Sequence, residues 1–187
     1  MRAMARATLA PFPVRSAGWT AGDGSAWTLR TIRPGDAAEL EGLAHRLSQE
    51  SLYLRFAHVV RTDRIDHGRL AQLCTPDPTR ETALVAVCDR TQTISAVARL
   101  IRAGDGIAEF ALLVADSEQG HGLGTALLEM LLAIGRDAGE RRIVGYVLAQ
   151  NTAMLNVCRS LGFSIKRDAG DSMVLVAKAL GSPGASM

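Results

Sequence analysis

The segment from Ile107 to Ala138 constrains the fold most, because an apolar strand, a glycine-rich loop and an apolar helix follow one another there. Ile107–Val114 is a nearly continuous apolar run of strand length. A loop with glycine at positions 120, 122 and 124 follows, and Leu123 to Ala138 then carries leucine and isoleucine around much of a helix circumference. A helix of that kind must be substantially buried. We therefore predict that this strand, loop and helix form the centre of the structure.

The glycine-rich loop, Gln119 to Thr125, predicts a site for a phosphate group. It precedes a long helix, whose first backbone N–H groups have no partner within the helix and lie at the positive end of its dipole. Such a terminus binds anions. Glycine at positions 120, 122 and 124 removes the Cβ atoms that would keep a pyrophosphate away from the backbone, and it tolerates positive φ. A purely structural turn at the start of a packed helix is the alternative.

The spacing of the loop excludes two common phosphate-binding motifs. A dinucleotide-binding fingerprint requires Gly or Ala at position 125, after Gly120 and Gly122, but Thr125 stands there. A Walker loop requires a lysine that this segment lacks. The loop therefore points to a phosphate-bearing cofactor of another class.

Periodicity in the rest of the chain predicts the order β-α-α-α-β-β-β-α-β-α-β-β. Two strand patterns, 94–101 and 107–114, are separated by Arg102 to Gly106, whose Gly and Asp residues suit a hairpin turn, so an antiparallel meander is expected. The other strands are expected at 27–32, 82–88, 142–148, 163–166 and 173–177, and the other helices near 40–47, 50–56, 65–73 and 153–161.

Composition is typical of a soluble globular protein, with 187 residues, 48% apolar residues and a net charge of +2. Because acids balance bases along the chain, nucleic acid is not expected as a partner. No apolar run approaches the roughly 18 residues of a membrane span, so no membrane partner is expected either. Cys74, Cys88 and Cys158 lack the spacing of metal ligands, which predicts reduced thiols, a cytoplasmic location and no metal.

The length suits one domain, which we expect at residues 26–180. Residues 1–25 mix Arg, Ala, Gly and Pro without a sustained period, and they are predicted to form a flexible N-terminal arm. Residues 181–187 are expected to be a C-terminal tail. A monomer or a homodimer is compatible with these features.

Two motifs resemble the GNAT superfamily of acyl-CoA-dependent N-acetyltransferases, and the resemblance extends from about Trp27 to Ala177. Gln119-x-x-Gly-x-Gly124 is similar to the pyrophosphate loop of that superfamily. The segment from Asn151 to Leu161-Gly-Phe163 is similar to its second cofactor motif. A finer similarity is to the catalytic domain of bacterial Pat-type protein lysine acetyltransferases. It lies in Ile32-Arg-Pro34, Leu47-Ser48, Ser51-Leu-Tyr-Leu-Arg-Phe56 and Ala108-Glu-Phe110.

The resemblance implies an α/β fold of mixed α+β type. Its central mixed sheet would be mostly antiparallel, with about seven strands, splayed after the fourth strand and flanked by helices. It also implies acetyl-CoA as cosubstrate, with the pantetheine arm in the splay. Asn151 would contact that arm, although capping of the following helix is an alternative role. The implied cofactor-binding residues are Leu112, Leu113, Val114, Gln119, Gly120, His121, Gly122, Leu123, Gly124, Thr125 and Asn151.

Glu109 is the candidate catalytic residue, because it is a single carboxylate inside the apolar run Ile107–Val114. Strand alternation puts it on one face with Ala111, whose small side chain leaves room beside it. We expect partial burial, which would raise its pKa and suit a general base. An alkyl ammonium must lose a proton before it can attack a thioester, and the resemblance gives this role to the same Glu. An exposed Glu, or one paired structurally with an arginine, is the alternative.

The general acid stays unassigned. Many GNAT enzymes have a tyrosine where this chain has Cys158, and we expect Cys158 to pack in the core. Some have a carboxylate where this chain has Tyr146. The resemblance favours a protein lysine as the acceptor, with a polyamine or aminoglycoside-like amine, or a non-catalytic acyl-CoA-sensing module, as alternatives.

Overall fold

The computed structural model describes residues 10–58, 66–167 and 170–181. The elements from Ala26 onward follow the predicted order. The helix expected at 65–73 is found at His67–Leu73, and residue 65 lies outside the described residues. The elements are β1 (Ser16–Thr20), β2 (Ala26–Thr31), α1 (Ala37–His45), α2 (Gln49–Phe56), α3 (His67–Leu73), β3 (Glu81–Cys88), β4 (Ile94–Gly104), β5 (Ile107–Val114), α4 (Leu123–Asp137), β6 (Arg142–Leu148), α5 (Thr152–Ser160), β7 (Ser164–Lys166) and β8 (Met173–Ala179).

The strands form one mixed sheet in the order β1-β2-β3-β4-β5-β6-β8-β7. Neighbouring strands are antiparallel except β5 and β6, which are parallel. The predicted α/β fold with a mostly antiparallel sheet is therefore confirmed. Eight strands are found among the described residues where about seven were expected, and the additional one is β1.

The strand β1 corrects the prediction of an unstructured arm over Ser16–Thr20. This segment pairs with β2 along its length, from Ser16 opposite Arg30 to Thr20 opposite Ala26. Phe12, just before β1, is also buried, with the Arg102 guanidinium carbon 4.4 Å from the centre of its ring. The sequence of this segment has no apolar alternation, and its strand conformation comes from its pairing with β2. Residues 1–9 of the expected arm and 182–187 of the expected tail lie outside the described residues.

Strands β5 and β6 separate after a short paired stretch. Only Ile107–Glu109 pairs with Arg142–Val144, whereas β5 stays paired with β4 as far as Val114 and β6 with β8 as far as Leu148. The next residue on β5 is Phe110 and the next on β6 is Gly145. A Cβ at Gly145 would lie 2.8 Å from Cζ of the Phe110 ring, so the ring fills the space that a side chain there would need. The expected splay after the fourth predicted strand, β5, is confirmed.

Helices cover both faces of the sheet. On one face α4 is buried around most of its circumference, and Leu127, Leu131 and Ile134 are fully buried against the sheet. On the other face a second cluster packs α1 and α2 onto β3 through residues such as Leu43 and Leu52. Burial of each such side chain contributes roughly 1.5–3 kcal/mol. The two layers fix the positions of α2 and α4, which flank the opening between β5 and β6.

Candidate active site

The opening between β5 and β6 forms a cleft of about 380 Å³. Residues from α2 line one side of it, the first residues of α5 line another, and the glycine-rich loop and the start of α4 lie at its end. The cleft brings together all of the predicted cofactor-binding residues except His121. Those that line it are Leu112, Leu113, Val114, Gln119, Gly120, Gly122, Leu123, Gly124, Thr125 and Asn151.

The backbone of the loop takes a shape that requires glycine at two positions. Gly120 has a φ of +81° and Gly122 a φ of +92°, both in the region that L side chains rarely adopt. A Cβ at Gly120 would meet no protein atom within 4 Å, so glycine there leaves open space beside the cleft. Helix α4 begins at Leu123, and its first N–H groups therefore lie at this open space. The loop fits an anionic group such as a pyrophosphate.

Gly124 allows α4 to start close to β5. A Cβ on Gly124 would stand 3.2 Å from Cδ2 of Leu112 and 3.7 Å from Cγ2 of Val114. The first turn of α4 therefore packs directly on the part of β5 that has no partner strand on its β6 side. This contact brings the helix N-terminus and the free edge of β5 into the same cleft.

His121 lies outside the cleft, although it belongs to the same loop. Its side chain is about half exposed, and Nδ1 stands 3.9 Å from a carboxylate oxygen of Glu118. The sequence prediction grouped His121 with its neighbours because it lies between two glycines. In the structure the backbone turns at Gly120 and Gly122, and these two residues line the cleft whereas the His121 side chain does not.

Asn151 lines the cleft and also caps α5. Its Oδ1 accepts a hydrogen bond of 3.0 Å from the backbone N–H of Met154. The capping role considered for Asn151 in the sequence is therefore observed, and contact with a pantetheine arm remains a proposal. One side chain can serve both purposes, because the cap occupies only the carbonyl oxygen.

A network of side chains that the sequence did not reveal joins α2 to the loop. The Asp116 carboxylate accepts hydrogen bonds from the Ser48 N–H, the Ser48 hydroxyl and the Ser51 hydroxyl, at 2.7–2.8 Å. Gln119 Nε2 donates to Ser51 Oγ at 3.0 Å and to the Val114 carbonyl at 3.2 Å. Burial acts to raise the pKa of Asp116, but the hydrogen bonds from Ser48 and Ser51 hold this pKa below its ordinary value. The only local signal in the sequence is Ser48, which caps α2.

Glu109 is exposed, which corrects the expectation of partial burial. It lies between Ile101 of β4 and Val144 of β6, at the last position where β5 and β6 are paired. Its neighbours Ala108 and Phe110 are buried in the α4 layer, so Glu109 points to the face that carries α2. The carboxylate stays accessible there because α2 does not cover this end of the strand.

Arg55 of α2 is the charged side chain that lines the cleft near Glu109. It is partly buried, and its guanidinium carbon lies 4.8 Å from the centre of the Phe56 ring. Burial and the charge of Arg99 lower the pKa of Arg55, while the charge of Glu109 raises it. Both of these groups therefore lie within electrostatic range of the guanidinium.

Cys158 lies in the core, as expected. It is fully buried in the α4 layer, and burial raises the pKa of its thiol to about 11. Cys158 does not line the cleft. Tyr146 stands on β6 opposite Leu175 and is 58% exposed. Neither side chain takes the place of a general acid inside the cleft.

Two further observations concern metals and membranes. Within residues 10–58, 66–167 and 170–181, no group of three or more His, Cys, Asp or Glu side chains could hold a metal ion. Across the same ranges no helix combines the length and the apolar character required to cross a bilayer.

Comparison with known proteins agrees with the geometry of the cleft. Residues 50–163 match the sequence model of the acetyltransferase (GNAT) family. The chain belongs to the GNAT family. Members of this family take the group that they transfer from acetyl-CoA, and the open loop at Gly120 with the free edge of β5 fits a pyrophosphate joined to an extended arm.

Relatives of this GNAT chain include named acetyltransferases. An acetyltransferase of Pseudomonas aeruginosa is 29% identical over 157 residues, which are 82% of this chain and 83% of that protein. Acetyltransferase Pat of Mycolicibacterium smegmatis is 30% identical over 154 residues, 81% of this chain but only 43% of that protein. The chain therefore spans less than half of the length of Pat.

Among solved structures, the GNAT domain of S. lividans PAT is similar over most of both chains. The TM-score is 0.80 at 30% sequence identity, covering 88% of this chain and 97% of that domain. Named acetyltransferase relatives and the family match together identify the GNAT chain as an N-acetyltransferase.

Proposed function

We propose that this GNAT protein transfers an acetyl group from acetyl-CoA to the side-chain amine of a protein lysine by direct attack. The observation that carries the proposal is the separation of β5 from β6 beyond Glu109 and Val144. It leaves a cleft whose end is the glycine-rich loop, and the exposed carboxylate of Glu109 lies at the last paired position before that cleft opens. A cytoplasmic location is proposed with it and is supported by the free thiols of Cys74, Cys88 and Cys158.

The proposed cosubstrate site combines an anion-binding end with a strand edge. The N–H groups of Gly120 to Thr125 would hold the pyrophosphate. Leu112–Val114 are paired with β4 but not with β6, so the backbone groups on their β6 side can hydrogen-bond to the amides of the pantetheine arm. Asn151 retains its amide nitrogen as a donor toward the same arm.

Glu109 is proposed to accept the proton of the acceptor. An alkyl ammonium has a pKa about three units above neutrality, so it must be deprotonated before it can react. Glu109 takes that proton, directly or through one water, and the exposure of its carboxylate suits the route through water. The neutral nitrogen then attacks the thioester carbonyl carbon and forms the amide bond. The carbon–sulfur bond breaks, the nitrogen gives its second proton to water, and the sulfur leaves with the electron pair and takes a proton from water.

The preference for a protein lysine is supported by similarity to the GNAT domain of S. lividans PAT and to Pat of M. smegmatis. A small amine of the polyamine or aminoglycoside type would use the same chemistry. A module that senses acyl-CoA without turnover would use the loop but not Glu109.

A DTNB assay of released thiol tests the role of Glu109. Glu109→Gln keeps the shape of the side chain but removes the base, and we expect kcat to fall roughly 10²- to 10⁴-fold. Binding of acetyl-CoA, measured by calorimetry, should change less than about twofold, because Glu109 lies outside the lining of the cofactor cleft. Glu129→Gln, an exposed substitution on α4, is the matched control. Unchanged turnover in Glu109→Gln would remove Glu109 as the base.

Incubation of the wild-type protein with acetyl-CoA and each class of acceptor tests the rest of the proposal. Acetylation of lysine peptides, detected by mass spectrometry, is the expected result. Acetylation of spermidine or an aminoglycoside in their place would favour the small-amine function. Binding of acetyl-CoA without transfer to any acceptor would favour the sensor.

A further inference from the structure

Arg55 is a cation that lines the cleft without a partner of its own. Among the described residues it makes neither a hydrogen bond nor an ion pair, and its contact is with the ring of Phe56. It is also partly buried, so part of its hydration has been lost. A partly dehydrated guanidinium gains free energy when a ligand supplies acceptors for its five N–H donors.

Two charged side chains, Arg99 and Glu109, act on Arg55 without bonding to it. Arg99, whose charge acts on Arg55, pairs with Glu81 and also donates to the Leu73 carbonyl. Glu109 acts on Arg55 electrostatically, but the two side chains do not form an ion pair. The Arg55 guanidinium therefore remains available to an anion that enters the cleft from the side of α2.

Arg55 and the loop that suits the cosubstrate phosphates line the same cleft, but they belong to different elements. Arg55 lies on α2, and the Gly120–Thr125 loop starts α4 on the other face of the sheet. Arg55 shares its face with Glu109, to which we assign the proton of the acceptor amine. A cation and an anion on one face complement an acceptor that carries both an ammonium and a carboxylate.

We propose that Arg55 is a specificity-determining residue that binds a carboxylate of the acceptor, close to the amine that is acetylated. The proposal rests on the proposed lysine acetyltransferase function and specifies its substrates as lysines with an aspartate or glutamate beside them. A planar guanidinium binds a carboxylate through two parallel hydrogen bonds, which fixes orientation as well as position. Polycations such as spermidine would meet a repulsive charge at the same place.

Peptides that differ only beside the lysine test the proposal. Three peptides carry Glu, Gln or Arg at the flanking positions, and kcat/KM is measured for each at saturating acetyl-CoA. For the wild-type protein we expect kcat/KM for the Glu peptide to exceed that for the Gln peptide by roughly ten- to a hundredfold, the value of a charge-assisted hydrogen bond, and the Arg peptide to be the poorest. Free lysine and its methyl ester show whether an α-carboxylate can replace the flanking side chain.

Variants of Arg55 assign the preference to this side chain. Arg55→Gln should remove most of the difference between the Glu and Gln peptides, and Arg55→Glu should reverse the order of the Glu and Arg peptides. Arg55→Lys should retain part of the preference for the Glu peptide. A melting curve for each variant shows that it is folded. Because Arg55 also lines the cleft, the Kd for acetyl-CoA is measured for each variant, and all peptides are compared at acetyl-CoA concentrations that saturate that variant.

The outcomes separate this inference from the function on which it rests. If lysine peptides are acetylated equally well whatever their flanking charge, the Arg55 inference is overturned and the lysine acetyltransferase function stands. If Arg55→Gln weakens acetyl-CoA binding and lowers all peptides alike, Arg55 binds a cosubstrate phosphate and the inference is overturned. If no peptide is acetylated and spermidine is, both are overturned.

Discussion

The indole ring of Trp19 lies against Gly122 in the glycine-rich loop, so that a Cβ added to Gly122 would stand 3.3 Å from Cζ2 of the ring. Trp19 belongs to β1, at the edge of the sheet, whereas Gly122 immediately precedes α4. A residue from the start of the chain therefore supports the loop in a conformation with a φ of +92° at Gly122.

Trp19→Ala should weaken acetyl-CoA binding. Removing the ring takes away the packing behind Gly122 and lets the loop sample shapes that bind pyrophosphate less well, so we expect the Kd to rise about three- to tenfold. Calorimetric titration with acetyl-CoA measures the effect. Val14→Ala, a substitution at an 81% exposed position in the same N-terminal segment, should leave the Kd unchanged. An unchanged Kd in Trp19→Ala would show that the loop holds its shape without the ring.

The Ser51–Gln119 hydrogen bond should contribute to the affinity for acetyl-CoA. It joins α2 to the loop across the cleft, at 3.0 Å between Nε2 and Oγ. Ser51→Ala and Gln119→Ala should each raise the Kd. The double variant should raise it by a factor smaller than the product of the two single-variant factors. The expected coupling is about 0.5–1.5 kcal/mol. Gln49→Ala, an exposed position on the same helix, is the control. Additive effects would contradict a direct link.

Local pattern accounts for most of what the sequence predicted correctly. The run Ile107–Val114 and the helix that follows the glycines carry their own periodicity, so element type and order could be read from them. The anion-binding end of the cleft followed from one further step, that a strand and a helix joined by a glycine loop bring the helix N-terminus to the end of the strand. The splay that opens the cleft was implied by the resemblance to the GNAT superfamily.

The features that sequence reasoning missed depend on partners that are distant along the chain. Strand β1 has no pattern of its own and exists through its pairing with β2. Asp116 accepts a hydrogen bond from Ser48, 68 residues away, and the local sequence around either residue does not indicate this contact. Glu109 was expected to be partly buried because its neighbours are apolar, but its exposure depends on where α2 ends. Strand pairing, long-range hydrogen bonds and side-chain exposure depend on tertiary contacts, which the periodicity of the sequence does not reveal.

Cys158 should resist alkylation while the protein is folded. Its thiol is fully buried and has a pKa of about 11, so almost none of it is thiolate at neutral pH. Cys88 provides an internal comparison, because it is less buried and a hydrogen bond with Thr91 lowers its pKa. Iodoacetamide at pH 8 followed by peptide mass spectrometry should label Cys88 first. Rapid labelling of Cys158 would show that its helix opens readily.

Asp36 should make stability depend on pH in the acid range. Its carboxylate accepts two hydrogen bonds from the Arg30 guanidinium, at 2.7 and 2.8 Å, and one of 2.7 Å from the Arg33 N–H. Burial acts to raise the pKa of Asp36, but these bonds outweigh it and hold the pKa below its ordinary value. A carboxyl group whose pKa is lower in the folded than in the unfolded protein stabilises the fold. That contribution is fully present above the unfolded-state pKa, near 4, and is lost as the pH falls through the folded-state pKa.

Asp36→Asn should therefore be costly at neutral pH and much less so in acid. The variant leaves the Arg30 guanidinium, whose side chain is only 13% exposed, without its charged partner, and we expect a loss of about 2–3 kcal/mol in the free energy of unfolding at pH 7. Urea unfolding at pH 7, 5 and 3 measures the gap from the wild type, with Glu129→Gln as an exposed control. The gap should hold between pH 7 and 5 and narrow below about pH 4, because the unfolded wild type then takes up a proton on Asp36 that the folded protein, with its lowered pKa, does not. The ion pair itself is lost as the pH falls further, through the folded pKa. A gap that stays constant down to pH 3 would mean that the Asp36 carboxylate contributes through its shape and hydrogen bonds, and that its charge contributes little.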